Sequence, residues 1–184
     1  DKERGLKLCG FESNKKVLLV MGGSLGSVVL NAALRENLKQ LLPTFNIVHL
    51  CGKGNLDESL IGVDGYRQFE YVTDELSDIL FVSNFVVSRA GSNSIFEFLA
   101  LHKPMLLIPL SAAKSRGDQI LNANLFKKQG FAHVLDEEVL TKDSFMASIE
   151  ALIKSEEQII DKMLDAERPK TPKEMVNLIL QYEK

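Results

Sequence analysis

The strongest constraint on the fold is a strand, loop and helix pattern that occurs twice between residues 85 and 124. Apolar residues 85–88 and 104–109 are each followed by a polar loop and then by a helical pattern. Short apolar runs bounded by loops are typical of buried parallel strands. Loops after parallel strands gather at one edge of a sheet, where helix N-termini present unpaired N–H groups. We therefore expect a ligand to bind at this edge.

The same alternation extends over most of the chain. Strands are predicted at residues 17–21, 45–51, 66–72, 85–88, 104–109 and 131–135. Helices are predicted at residues 28–42, 92–101, 118–129, 145–153, 156–166 and 175–182, and one more begins after Thr73. Thr73 and Thr141 are the predicted N-caps of the helices that follow them, and Gly130 is predicted to end the helix at 118–129. Short connections between alternating strands and helices predict an α/β fold with a doubly wound, parallel, six-stranded, Rossmann-like sheet.

The composition agrees with a single globular domain. The 184 residues are 45% hydrophobic and 26% charged, and the net charge of −3 gives no electrostatic reason to expect nucleic acid as a partner. No apolar run approaches the ~20 residues that a membrane-spanning helix needs. Cys9 and Cys51 lie inside or beside apolar segments, which favours free thiols in a reducing cytosolic setting over a disulfide.

The chain begins without methionine on a polar run, which predicts a domain taken from a longer protein. We interpret residues 1–14 as an interdomain connection. Residues 15–168 form the predicted sheet domain, and residues 169–184 contain a final helix.

The first strand is followed by a glycine-rich turn, Gly-Gly-Ser-Leu-Gly at residues 22–26. Such a turn can bring backbone N–H groups and the Ser24 hydroxyl close to a phosphate. Glycines also occur at tight strand–helix turns for packing reasons alone. The turn matches neither the spaced dinucleotide fingerprint nor a Walker loop with its lysine, so both interpretations stay open.

A second polar turn covers residues 88–94, and Glu97 follows one helical turn inside the next helix. Its carboxylate could accept hydrogen bonds from two ribose hydroxyls, or it could be a first-turn residue stabilised by the helix dipole. Asp118 and Gln119 open the following helix with groups suited to sugar hydroxyls, and Asn122 and Asn124 lie further along it. An N-cap and solvated helix positions are the simpler interpretation of these four residues.

No self-contained catalytic centre is predicted. His49, His102 and His133 have no spacing that would build a metal site, and we interpret all three as structural or surface residues. Neither a Ser-His-Asp nor a Cys-His arrangement is present.

Four ordered motifs together resemble the C-terminal domain of the MurG family, the peptidoglycan N-acetylglucosaminyltransferases. They are GGSLG, SRAGSNSIFE, KPMLLIP and DQILNAN at residues 22–26, 88–97, 103–109 and 118–124. The resemblance covers the chain from about Lys15 onward. It implies the C-terminal half of a two-domain GT-B glycosyltransferase, whose N-terminal domain holds the acceptor site and a candidate general base outside these residues.

The resemblance also implies roles for single residues in binding the donor. Ser24, beside Gly23, would contact the diphosphate, and Glu97 would bind the ribose hydroxyls. Ser92, Asn93 and Ser94 would line the nucleotide, and the backbone of Val72 would contact the uracil. Gln119 would bind the N-acetylglucosamine hydroxyls, helped by Asp118, where many family members carry glutamine or glutamate.

The activity implied is inverting transfer of N-acetylglucosamine from UDP-N-acetylglucosamine to undecaprenyl-pyrophosphoryl-muramoyl-pentapeptide, without a metal or cofactor. This step of cell-wall synthesis, linked to cell shape and division, would take place at the cytoplasmic face of the bacterial membrane, with the full-length protein bound peripherally. The residues alone leave two alternatives open. One is another GT-B enzyme, such as a diacylglycerol glucosyltransferase or a UDP-sugar epimerase, and the other is a non-catalytic nucleotide-binding domain.

Overall fold

A computed structural model of the chain describes residues 2–11, 15–23, 25–113 and 116–166. The strands are β1 (Lys16–Met21), β2 (Phe45–Leu50), β3 (Tyr66–Phe69), β4 (Phe85–Ser88), β5 (Met105–Leu107) and β6 (Ala132–Val134). The helices are α1 (Lys2–Cys9), α2 (Val28–Leu41), α3 (Leu76–Val82), α4 (Ser92–Ala100), α5 (Asp118–Gln129), α6 (Lys142–Lys154) and α7 (Glu156–Ala166). Single 3-10 turns lie at Glu58–Leu60 and Glu137–Val139.

All six strands form one parallel sheet in the order β3-β2-β1-β4-β5-β6. The strand order reverses between β1 and β4. In doubly wound sheets a crevice opens at this reversal, outside the carboxyl ends of the two strands. The predicted fold class is therefore confirmed, and the sheet defines where a ligand can enter.

The strands have largely apolar sequences because their side chains are buried on both faces of the sheet. Every residue of β1 after Lys16 is buried, and so are all residues of β2, β4 and β5. Helices cover both faces of such a sheet, so both side-chain rows of a strand need to be apolar. The rings of Phe45, at the start of β2, and Phe85, at the start of β4, pack edge to face with centroids 5.8 Å apart.

The predicted helix ends are correct where a capping residue defines them. Thr141 is the N-cap of α6 and forms a capping box with Ser144. Gly130 ends α5 in a left-handed conformation with φ 78°. Thr73 was wrongly predicted as a cap, because α3 starts three residues later and its N-cap, Glu75, makes no side-chain cap bond. The Glu75 carboxylate instead accepts from the Thr73 N–H at 3.2 Å.

Helix α1 was not predicted from the polar N-terminal sequence. It packs against α3 so closely that a Cβ atom on Gly5 would lie 2.5 Å from the carbonyl oxygen of Asp78. Arg4 donates two hydrogen bonds to the Asp78 carboxylate, at 2.6 and 2.8 Å. The interpretation of residues 1–14 as an interdomain connection stays a prediction.

Two further observations bear on the predictions. Within the described ranges, every helix is too short or too polar to cross a bilayer. The helix predicted at residues 175–182 lies outside the described residues.

Two of the three histidines make structural contacts, as expected, and the Nε2 of one of them, His133, lies 2.8 Å from the Ser155 hydroxyl oxygen. His49 is fully buried on β2, where its Nδ1 is 2.7 Å from the Tyr66 hydroxyl and its Nε2 is 2.9 Å from the Asn31 side-chain oxygen. An amide oxygen can only accept, so Nε2 carries the proton and Nδ1 accepts from the tyrosine. Burial, together with the positive charge of Arg35, lowers the pKa of His49 to about 3. The imidazole is therefore neutral in the folded chain.

Because the folded pKa of His49 lies below its unfolded value near 6.5, only the unfolded chain takes up a proton as the pH falls below neutrality. Stability contributed by the neutral imidazole is complete above pH 6.5 and is lost towards pH 3. Between pH 7 and pH 5 we expect His49 to reduce the free energy of unfolding by about 2 kcal/mol. Urea titrations at both pH values should show that the free energy of unfolding changes less between pH 7 and pH 5 in His49→Gln than in the original chain. Equal pH dependence in the two proteins would contradict this assignment.

Candidate functional site

A cavity of about 460 Å³ opens at the strand reversal between β1 and β4. Its lining comes from the loop after β1, the first turn of α2, the end of β4, the start of α4 and the loop and helix after β5. The cavity therefore brings together the glycine-rich turn, the second polar turn and Gln119, which are separated by many residues in sequence. This juxtaposition was predicted from the strand and helix pattern.

The glycines of the first turn have different physical roles. A Cβ atom on Gly22 would lie 2.4 Å from the backbone nitrogen of Ser27, and one on Gly26 would lie 2.1 Å from the carbonyl oxygen of Cys51. Those two glycines are needed for packing. Gly23 has a positive φ of 88°, and a Cβ atom on it would point into open space at the cavity. Of these three, Gly23 alone is free to let a ligand approach the backbone.

Three helices begin at this cavity. Ser27 is the N-cap of α2, and its hydroxyl accepts from the Leu30 N–H at 3.3 Å. The N-caps of α4 and α5 are Gly91 and Gly117, and neither end has a side-chain cap bond. The first N–H groups of a helix have no partner inside the helix and carry a partial positive charge. The cavity is therefore suited to an anionic group such as a phosphate.

Arg89, directly after β4, is buried beside the cavity. Its guanidinium donates to the Ile108 carbonyl at 3.0 Å and to the Ser27 hydroxyl at 2.7 Å, and it forms an ion pair with the buried carboxylate of Glu137. These contacts connect β4, the chain after β5, the start of α2 and the second 3-10 turn. The guanidinium thus fixes the relative positions of elements that line the cavity.

Gln119 lines the cavity from the first turn of α5, and its position is fixed by the backbone. Its side-chain oxygen accepts from the Leu110 N–H at 3.1 Å. The oxygen is thereby occupied, so the amide NH₂ is the group left to donate to a ligand. Asn122, one turn later, donates to the Ala90 carbonyl at 3.1 Å and holds α5 against the turn that follows β4. The simpler interpretation of Asn122 as a solvated position is therefore wrong.

The polar residues of α4 lie at the cavity or just beyond it. Ser94 is part of the lining, while Ser92 and Asn93 are exposed at the helix start. Glu97 is exposed on the next turn, and its carboxylate makes no hydrogen bond or ion pair with the other described residues. Since the first turn of α4 contains no acidic residue, the first-turn dipole interpretation of Glu97 is wrong.

Like Ser92, Asn93 and Glu97, two further predicted site residues that the structure describes are not in the cavity lining. Val72, in the loop after β3, is partly buried against the core, and Asp118 is exposed at the start of α5. Ser24 lies outside the described residues. Their roles stay predictions.

Three residues that support the site, Arg89, Ser27 and Leu110, were not predicted to have a role in it. Ser27 carries a signal that could have been used, because serine before a helical pattern is a frequent N-cap. Arg89 lies inside a recognised motif, but nothing in a sequence distinguishes a buried arginine from an exposed one. Among the described residues, no group of three or more histidine, cysteine, aspartate or glutamate side chains could hold a metal ion.

A parallel sheet in this strand order, with three helix N-termini around a glycine-lined crevice, defines an α/β domain of the nucleotide-binding type. Residues 17–178 match the glycosyltransferase family 28 C-terminal domain. The chain belongs to this family.

Similar proteins support the resemblance to the MurG family. The chain is 54% identical over 163 residues to the UDP-N-acetylglucosamine–N-acetylmuramyl-(pentapeptide) pyrophosphoryl-undecaprenol N-acetylglucosamine transferase of Clostridium perfringens, covering 89% of the chain and 46% of that protein. Proteins of the same name from Geobacillus thermodenitrificans (60% over 156 residues, 85% and 44% covered) and Clostridium tetani (49% over 182 residues, 99% and 51% covered) are also similar. The chain thus spans about half the length of these relatives.

Solved structures confirm the fold. The crystal structure of Acinetobacter baumannii MurG superposes with a TM-score of 0.70 at 20% identity, covering 96% of the chain and 52% of that structure. The glycosyltransferase of kitacinnamycin gives a TM-score of 0.71 at 22% identity, covering 85% and 39%. At these identities the likeness concerns the fold alone, and the fold is the predicted C-terminal half of a GT-B glycosyltransferase.

Proposed function

We propose that the chain is the donor-binding half of a glycosyltransferase that moves N-acetylglucosamine from UDP-N-acetylglucosamine to undecaprenyl-pyrophosphoryl-muramoyl-pentapeptide. The observation that carries the proposal is the convergence of three helix N-termini on one glycine-lined cavity. Identities of 49–60% to transferases of this name favour that donor and acceptor over those of other GT-B enzymes. The same names favour an enzyme over a non-catalytic nucleotide-binding domain.

The diphosphate would lie over the glycine-rich turn, with Ser24 and the backbone at Gly23 as its contacts. Open space at Gly23 allows an anion to approach the backbone there. The Ser27 hydroxyl accepts two hydrogen bonds from inside the protein, from Leu30 and Arg89, so its own proton remains available for donation. No acidic side chain lies in the first turns of α2 and α4, so nothing there opposes a negative ligand.

The nucleoside would extend from the diphosphate along α4. Ser94 lines the cavity, and Glu97 lies three residues later, about 4.5 Å further along the helix. An exposed carboxylate without a protein partner can accept from both ribose hydroxyls. Ser92 and Asn93 would contribute polar groups at the helix start, and the backbone of Val72 would contact the uracil.

The sugar would lie on the side of α5. The Gln119 amide, held by Leu110, is a positioned donor for a sugar hydroxyl, and Asp118 precedes it. During transfer, negative charge develops on the leaving diphosphate while the bond to the anomeric carbon breaks. Helix N-termini already aimed at the diphosphate stabilise that charge without reorganising. The acceptor hydroxyl would attack from the opposite face, which inverts the anomeric centre.

The base that removes the acceptor proton would belong to the other half of the longer protein, so the 184-residue chain should bind donor without turnover. The lipid-linked acceptor would place the full-length enzyme at the cytoplasmic face of the bacterial membrane as a peripheral protein. Neither a cofactor nor nucleic acid has a role in this proposal.

Donor selectivity tests the proposal directly. Calorimetric titration of the chain should show tighter binding of UDP-N-acetylglucosamine than of UDP-glucose, UDP-galactose or a nicotinamide dinucleotide. Affinity should be unchanged by a chelator, because helix N-termini rather than a bridging metal ion would bind the diphosphate. Preference for the dinucleotide, or loss of binding in the chelator, would overturn the proposal.

Glu97→Ala should weaken UDP binding about ten- to hundredfold, since hydrogen bonds to a charged acceptor contribute about 1.5–3 kcal/mol. The melting temperature should hardly change, because the Glu97 carboxylate has no partner among the described residues. Glu150→Ala, an equally exposed glutamate on α6, is the matched control and should leave UDP binding intact. Equal UDP affinity in the two variants would exclude the ribose role.

Gln119→Ala should weaken UDP-N-acetylglucosamine binding by a few-fold to about tenfold and leave UDP binding nearly unchanged, because one neutral hydrogen bond contributes about 0.5–1.5 kcal/mol. A small loss of stability should accompany it, since the Leu110 N–H loses its acceptor. Parallel titrations with the two ligands measure the difference. If both affinities fell equally, the sugar would have to lie elsewhere.

A further inference from the structure

The outward face of α5 carries a row of exposed residues, of which only Asp118, at its first position, also belongs to the proposed donor site. Asp118, Leu121, Leu125 and Lys128 are all exposed, and the two leucines expose 72% and 49% of their surface. Ala123 and Phe126 of the same helix are buried in the core. The row is therefore the solvent side of a helix whose other side is already packed.

The spacing of the row is that of a helix-packing seam. Steps of three, four and three residues keep all four side chains within one narrow stripe along the helix. The stripe has an apolar centre, an acidic residue at its first position and a basic residue at its last. We infer that this stripe is a self-association surface, on which α5 of a second copy of this chain packs in antiparallel orientation.

Register and charge both support this partner. Asp118 and Lys128 lie five residues on either side of position 123, and Leu121 and Leu125 lie two residues on either side of it. A two-fold axis at position 123 therefore pairs Asp118 with Lys128 of the second copy and Leu121 with its Leu125 at the same time. A parallel, in-register pair would place Asp118 against Asp118 and Lys128 against Lys128. The stripe is complementary to itself only in the antiparallel orientation.

Both charged residues are available for such pairing. Neither Asp118 nor Lys128 makes an ion pair or side-chain hydrogen bond with another described residue. On the neighbouring helix α4, Phe96 is 57% exposed and its ring packs edge to face on Phe126, with centroids 5.4 Å apart. A contact of this size, built on one twelve-residue helix, gives a weak dimer in rapid exchange.

Sedimentation equilibrium of the 184-residue chain, from micromolar to millimolar concentration, tests the inference. We expect a monomer–dimer equilibrium. Lys128→Glu should raise its dissociation constant about tenfold, because both exposed ion pairs of the dimer become like-charge pairs. Asp118→Lys should weaken association for the same reason. The double variant Asp118→Lys with Lys128→Glu reverses both ends of the stripe and should restore the original dissociation constant.

Lys127→Glu is the matched control. It makes the same charge change in the last turn of α5, but about 100° around the helix from Lys128, and should leave association unchanged. Leu121→Asn should weaken association in every charge background. A chain that stays monomeric at millimolar concentration would overturn the inference. The inference would also be overturned if the single charge variants had the same dissociation constant as the original chain. A double variant whose dissociation constant is as high as those of the single variants would contradict it as well.

Discussion

The buried guanidinium of Arg89 is the contact on which the geometry of the cavity depends. It lies where the sheet reverses its strand order, and it binds the N-cap serine of α2, the carbonyl after β5 and the carboxylate of Glu137. Parallel strands hold one another through backbone bonds, and one more such bond joins the Ile108 N–H, just after β5, to the Ser88 carbonyl at the end of β4. Arg89 adds side-chain contacts that also reach the start of α2 and the second 3-10 turn. Removing one partner of a buried ion pair costs about 3–5 kcal/mol, so both residues must be present together.

The close contacts around the glycine-rich turn complete this framework. A Cβ atom on Gly26 would meet the Cys51 carbonyl, and one on Gly52 would lie 2.5 Å from the Cα of Gly26. The Asn31 amide donates to the same Cys51 carbonyl at 2.9 Å, while its side-chain oxygen binds His49. The turn after β1 is therefore held against the end of β2 on one side and against Arg89 on the other. Gly23 remains open to the cavity between these two supports.

The fold was predictable because its signals are local. Apolar runs covered on both faces, a glycine stop at Gly130 and a capping threonine at Thr141 each depend on a few neighbouring residues. Helix α1 was missed because its sequence is polar and only Gly5 and Cys9 are buried. Its stability comes from packing on α3 and from the Arg4–Asp78 ion pair, a contact across 74 residues. Thr73 failed as a cap because α3 begins only at Leu76, with Glu75 in the N-cap position.

The site was predictable only in part, because some of its contacts join residues that are far apart in the sequence. The residues at the helix starts and in the glycine turn follow from the strand and helix pattern, and the structure brings Gly23, Ser94 and Gln119 to one cavity. Arg89 acts through partners from three other parts of the chain, and the Leu110 N–H that orients Gln119 lies in an irregular loop. Pattern analysis detects neither kind of contact. The supporting contacts of the cavity are thus harder to predict than the residues that face it.

Helix α5 presents two different sides, one to the cavity and one to solvent. Its inward side carries Gln119 and Asn122, whose hydrogen bonds go to Leu110 and Ala90 and fix the helix against the cavity. Its outward side carries Leu121 and Leu125 and makes no contribution to the core. The inward contacts already hold the helix, and neither leucine belongs to the core formed by the described residues. Two exposed leucines at that spacing, between opposite charges, are then better explained by a partner helix than by the stability of the domain itself.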